Sequence, residues 1–231
     1  MLSAISIGAG AILCLGCANT ARCFLRKYEE GDYKRALVLK GAAGLCFLAL
    51  GMLNAAHAVD PDYAWRVCLA LALGLAGDEL LAARFLYPDR HDDFFSAGAA
   101  SFAVGHLLYI WALMRLSGAK PLGALPIFMI GYAAALIYGR YRCVNAGKLT
   151  WRAAVYIALV VFMAAVACTA AARSFSVGTL MFAAAGICFC VSDCILCAYC
   201  YGNRKTAGMN AAVHVTYYTA QLLIAWSIAF I

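Results

Sequence analysis

Residues 151–173 read WRAAVYIALVVFMAAVACTAAAR, with no charged side chain between Arg152 and Arg173. A helix of about 20 apolar residues, rising 1.5 Å per residue, matches the roughly 30 Å hydrocarbon layer of a bilayer. The run is continuous and rich in Ala and Val. It lacks the short alternating segments of a membrane β-barrel strand, so the helical reading is preferred. Working outward, comparable runs occupy 2–24, 36–58, 66–86, 97–117, 121–139, 178–201 and 211–231. With 66% hydrophobic and 13% charged residues, against about 25% charged in an average globular chain, water is not the main solvent. The expected fold is all-α: a polytopic membrane protein of eight transmembrane helices.

Basic residues give the expected orientation. The junctions after spans one, three, five and seven hold Arg22, Arg26, Lys27, Lys34, Arg35, Lys40, Arg84, Arg90, Arg140, Arg142, Lys148, Arg152, Arg204 and Lys205, whereas the other side has Arg66, Arg115, Lys120 and Arg173. Positive loops face the cytosol, which puts both termini on the non-cytoplasmic side. The net charge of +7 then suits an anionic cytoplasmic leaflet and calls for no nucleic acid. No Lys or Arg precedes the first span, the wrong order for a secretory signal, so that span is expected to remain in the mature protein.

Twelve cysteines include CxxC spacings at Cys14 and Cys17, Cys194 and Cys197, and Cys197 and Cys200. Each pair sits in an apolar helix without His or acidic ligands at zinc spacing, and small thiols packing between helices explain them. No metal and no cofactor are expected. A Walker A loop, an HExxH helix and a GxSxG elbow are absent from the sequence.

An internal repeat is more informative. Gly77-Asp78 precedes Ser192-Asp193 by 115 positions, and the same offset relates Gly105-His106-Leu107-Leu108 to Ala220-Gln221-Leu222-Leu223. The chain therefore reads as one membrane domain, 1–231, made of two four-helix repeats in parallel orientation, about 1–117 and 118–231. Asp78 and Asp193 fall at corresponding depths inside apolar spans, where an acid costs roughly 2.5–3.5 kcal/mol and usually faces a wet or protein-lined interior. Asp78, Leu81, Ala82 and Phe85 share one helix face, and Glu79 points about 100° away. His106 and Gln221 lie near mid-span on the following helices. Gln221, Asn54 and His57 have the simpler explanation of hydrogen-bonding helices together, and Tyr109, Tyr217 and Tyr218 that of packing. Arg84 and Lys40 most simply snorkel to the cytosolic surface.

Gly77-Asp78-Glu79-Leu80-Leu81, with Phe95, Gly98, Phe102 and Gly105-His106-Leu107-Leu108-Tyr109, resembles the YhhN-like lysoplasmalogenase membrane family. So does Val191-Ser192-Asp193 followed by Tyr217-Tyr218-Thr219-Ala220-Gln221-Leu222-Leu223-Ile224. Lys40 sits where that family tends to have Lys-Pro, and Gly41 here replaces the proline. The resemblance implies hydrolysis of the vinyl-ether bond of lysoplasmalogens to a fatty aldehyde and glycerophospho-ethanolamine or glycerophospho-choline.

That chemistry requires an acid to protonate carbon, a base, and water to capture the oxocarbenium ion. Two carboxyl groups in an apolar pocket resist double ionisation, as in enzymes that cleave glycosidic bonds through related cations. Asp78 and Asp193 are the expected catalytic pair, in roles the sequence does not distribute. His106, Tyr109, Tyr218 and Gln221 are expected to line the substrate site, the last two and His106 orienting water and the hemiacetal oxygen. Lys40 and Arg84 are the candidates for the lipid phosphate. The expected partners are a lysophospholipid substrate and membrane lipids. The alternatives are a lipid or small-solute transporter built on a two-repeat bundle, and a non-catalytic receptor or scaffold.

Overall fold

The computed structural model describes residues 4–147 and 150–231. Lys148, counted above among the basic loop residues, lies outside them, as do the first residues of the first expected span. Eight long helices follow in order: α1 Ala4–Glu29, α2 Tyr33–Ala55, α3 Pro61–Ala83, α4 His91–Ser117, α5 Pro121–Tyr141, α6 Thr150–Arg173, α7 Val177–Tyr201 and α8 Ala207–Ser227. Short 3-10 turns at Pro88–Arg90 and Ile228–Phe230 complete the regular structure, and no strand occurs among the described residues.

Caps set several boundaries that hydropathy misplaces. The Asp60 carboxylate accepts from the Tyr63 backbone N–H, with Pro61 opening the helix, so α3 begins before its apolar run. Asp32 and Thr206 likewise cap α2 and α8 ahead of the expected starts at 36 and 211. Ser176 and Thr179 form a reciprocal capping box at the head of α7. At the far end of α4, Gly118 takes a φ of 61°, a conformation that an L side chain rarely adopts.

Six of the helices are long and apolar enough to cross a membrane: α1, α2, α4 (with its leading 3-10 turn), α5, α6 and α7. Their outer surfaces carry exposed Ile12, Leu15, Val38, Leu45, Leu107, Trp111, Ile130 and Ile137, an apolar coat suited to lipid and not to water. The protein is thus compatible with multi-pass membrane insertion. The two remaining helices, α3 and α8, hold Asp78, Glu79, Asn210, His214 and Gln221, polar groups that lower their own hydropathy.

The helices α2, α3, α4, α6, α7 and α8 pack consecutively around a closed ring, completed by α4 against α6 and α8 against α2. Helix α1 lies outside α2 and α8, and α5 lies outside α6 and α7. Polar contacts join α8 to its neighbours: Asn54 donates to the Ala225 carbonyl at 3.0 Å, and the Tyr63 and Ser227 hydroxyls meet at 3.1 Å. Helices α3 and α4 approach so closely that a Cβ on Gly77 falls 2.8 Å from the Phe102 ring, and one on Gly98 falls 3.0 Å from the Gly77 carbonyl.

Candidate active site

Inside the ring lies a cavity of about 370 Å³. Its wall comes from one end of the bundle only: the last turns of α1, α3 and α7 and the first turns of α2, α4, α6 and α8. This is the end where the basic junctions gather. On α3 the lining face is Asp78, Leu81, Ala82 and Phe85, joined by Arg84, whereas Glu79 turns away toward Gly41 of α2. The uninterrupted course of α2 through Gly41 requires no proline there.

Asp78 and Asp193 both line this cavity, on α3 and α7. Both are buried, yet their surroundings differ. The Lys40 ammonium reaches Asp78 Oδ1 at 2.9 Å, and Lys40 itself is only 6% exposed. Lys40 therefore does not snorkel, because the carboxylate one helix away offers an ion-pair partner within the bundle. Asp193 has no such cation among the described residues: Oδ2 accepts a hydrogen bond from the Tyr156 hydroxyl of α6 at 3.0 Å.

A second set of polar groups backs the Asp78 side. The Tyr109 hydroxyl donates to Gln221 Oε1 at 3.2 Å, and Gln221 Nε2 donates to the Tyr217 hydroxyl oxygen at 2.9 Å. With its oxygen accepting from the amide, the Tyr217 hydroxyl keeps its own proton free to donate, and it lines the cavity with Asp78. Asp78 Oδ2 has no hydrogen-bond partner among the described residues. Packing holds the relay still: the Tyr217 ring meets Phe102 and Phe189 edge-on at 5.9 and 5.5 Å.

Of the residues expected around the substrate, Lys40 and Arg84 line the cavity with the two aspartates. Tyr109 and Gln221 stand one layer behind it, acting through Tyr217. His106 is fully buried among Phe189, Tyr109 and Tyr156, and neither ring nitrogen has a hydrogen-bond partner among the described residues. Tyr218 leans on Phe47 and His214, away from the cavity wall. The expected reading did not name Tyr156, which hydrogen-bonds Asp193, and gave Tyr217, a cavity residue, to packing. Helical spacing offered a signal for the latter, since Asn210, Val213, His214 and Tyr217 form one face of α8 and all line the cavity.

Arg84 occupies the mouth, with its guanidinium over Phe85 at 4.7 Å and Phe95 at 5.2 Å. The same cavity wall carries Tyr28, Tyr33, Tyr199 and Tyr201, and Arg152 from the first turn of α6. The space thus runs from a basic, phenol-rich mouth to an acidic floor with apolar sides.

The YhhN family model matches residues 36–228, from the first turn of α2 to the end of α8. The chain belongs to the YhhN family. The matched segment contains Lys40, Asp78, Tyr156, Asp193 and Tyr217, so every polar group at the cavity floor lies inside the family's own region. No curated protein and no solved structure matches the chain. YhhN membership agrees with a membrane lysoplasmalogenase.

Proposed function

We propose that this protein hydrolyses the vinyl-ether bond of lysoplasmalogens, releasing a fatty aldehyde and a glycerophospho-alcohol. The observation that carries the reading is the pair Asp78 and Asp193 in one enclosed cavity, each with a different partner. Asp78, beside an ammonium, is the group suited to carry negative charge. Asp193, beside a neutral phenol, is the group suited to deliver a proton. Lining side chains such as Leu81, Phe102 and Leu196 suit an alkenyl chain.

The reaction proceeds in three steps. Asp193 transfers its proton to the second alkenyl carbon, the double bond supplying the electron pair, and the first carbon becomes an oxocarbenium ion stabilised by the Asp78 carboxylate. Water adds to that carbon while Asp78 takes a water proton, giving a hemiacetal. The hemiacetal then collapses to the aldehyde, its hydroxyl proton returning to Asp193 as the glycerol oxygen leaves with the proton held by Asp78. One water is consumed, and both carboxyl groups end as they began.

The wider arrangement belongs to the same proposal: eight spans, two parallel four-helix repeats about 1–117 and 118–231, and both termini on the non-cytoplasmic side. Supporting the repeat, α2 packs on α3 as α6 does on α7, α3 on α4 as α7 on α8, and the cross-contacts α2 with α8 and α6 with α4 correspond. The 115-position offset also carries Phe102 onto Tyr217, two cavity residues whose rings touch.

The test uses purified protein in detergent with a lysoplasmalogen in deuterated water, products being read by mass spectrometry. The expected result is aldehyde carrying one solvent deuterium beside the carbonyl, and Asp78→Asn or Asp193→Asn slowing its release by about 10² to 10⁴-fold. Lipid recovered intact with wild type, under conditions where a known lysoplasmalogenase is active, would sink the reading.

A further inference from the structure

We infer that Arg84 and Arg152 form a phosphate-binding site at the cavity mouth, which holds a lysophospholipid by its headgroup so that its alkenyl carbons reach the carboxylates. This rests on the hydrolytic reading above and adds to it the part of the substrate that is recognised.

The cations at this end of the bundle differ in their partners. Arg26 and Lys27 bind Glu30, Arg35 binds Asp32, Arg90 binds Asp93, and Lys40 binds Asp78. Arg142 donates to the Arg204 carbonyl. Arg84 and Arg152 both line the cavity, and neither has a carboxylate partner among the described residues. Arg84 Nε is buried without an acceptor, while its flat faces rest on Phe85 and Phe95. The rings satisfy the guanidinium faces and leave its N–H edge open, the geometry that recognises phosphate oxygens. Among the described residues, the acids on the cavity wall are Asp78 and Asp193, which sit at the floor. The hydroxyls of Tyr28, Tyr33, Tyr199 and Tyr201 supply further donors.

Spacing decides which anion. Arg84 follows Asp78 by six residues, which is about 9 Å along a helix axis. In an extended lysoplasmalogen, phosphorus and the first alkenyl carbon lie on the order of 8 Å apart by ordinary bond lengths. A phosphate at sn-3 and a vinyl ether at sn-1 therefore suit the two ends of this cavity together. Lys40, held by Asp78 at the floor, is left to the reacting end.

The probe is a saturated 1-O-alkyl lysophosphatidylethanolamine, which has no vinyl ether and cannot be cleaved, so binding is measured whether or not the protein hydrolyses anything. Its affinity for purified wild type, Arg84→Gln, Arg84→Lys and Arg152→Gln is compared with that of the matching 1-O-alkylglycerol. Each Gln variant is expected to weaken the phospholipid by about tenfold and leave the alkylglycerol unchanged, with Arg84→Lys recovering part of the loss. Arg152→Gln, on the exposed side of the mouth, carries the test if Arg84→Gln does not fold. Equal weakening of both ligands, or of neither, overturns the inference. Displacement of the probe by inorganic phosphate as readily as by glycerophosphoethanolamine would mean a free-anion site and would also overturn the lipid assignment. Absent aldehyde with phosphate-dependent binding intact counts against the hydrolytic reading alone.

Discussion

Lys40 and Asp78 illustrate how single residues set the chemistry here. Each is almost fully buried, and each is tolerable because the other is present. Lys40→Met should therefore destabilise the protein by about 3–5 kcal/mol, seen as a lower unfolding temperature in detergent, and adding Asp78→Asn should recover much of that loss. A double variant no more stable than Lys40→Met would show that the pair is not what holds those positions. Tyr156→Phe removes the one side-chain hydrogen bond to Asp193 among the described residues, and about a tenfold fall in kcat with an unchanged unfolding temperature is expected. The two aspartates were legible in the sequence because an acid inside an apolar run is conspicuous. The pairing of Lys40 was not, since helical periodicity says which residues share a face but not which neighbouring helix supplies the partner. Tyr217 and Tyr218 show the same limit: adjacent residues differ by about 100° around a helix, and only packing tells which one meets the cavity.

At the scale of helices, apolar run length identified all eight elements, while their ends were misjudged wherever a polar cap extends the helix beyond its greasy part. Asp60 and Thr206 do this for α3 and α8. Those two helices are also the ones that do not qualify as membrane spans by composition, for a physical reason: they carry polar groups of the interior, Asp78 and Glu79 on α3 and Asn210, His214 and Gln221 on α8. Close contact between α3 and α4 depends on Gly77 and Gly98. Gly77→Ala should cost about 1–3 kcal/mol and displace Phe102 from the cavity wall, lowering both unfolding temperature and activity. Gly8→Ala, where an added methyl meets nothing within 4 Å, should leave activity unchanged and raise stability slightly through helix propensity. Equal effects from the two substitutions would contradict the packing described.

For the molecule as a whole, the ring of six helices surrounds the cavity, and the outer pair, α1 and α5, leaves most of its apolar surface uncovered by the other helices. The cavity lies at the basic end, which the proposed orientation turns toward the cytosol. A C-terminal alkaline phosphatase fusion is therefore expected to be active and a C-terminal green fluorescent fusion dark, and the opposite pair of results would reverse the orientation. The proposed repeat was suggested by the shared 115-position offset, which sets Asp against Asp. The different roles of its halves were not, because they arise where the halves diverge: the second repeat has Val155 at the position equivalent to Lys40. One aspartate thus has an ammonium beside it and the other a phenol, so the site is asymmetric.

Whether the two carboxyl groups work as one unit is tested most directly by kcat/KM for aldehyde release from lysoplasmalogen in wild type, Asp78→Asn, Asp193→Asn and the double variant. Groups that serve one reaction coordinate lose their effect together, so each single change should cost about 10² to 10⁴-fold and the double change little more than the worse single one. Losses that multiply in the double variant, or a single variant that keeps the wild-type rate, would contradict a shared catalytic pair.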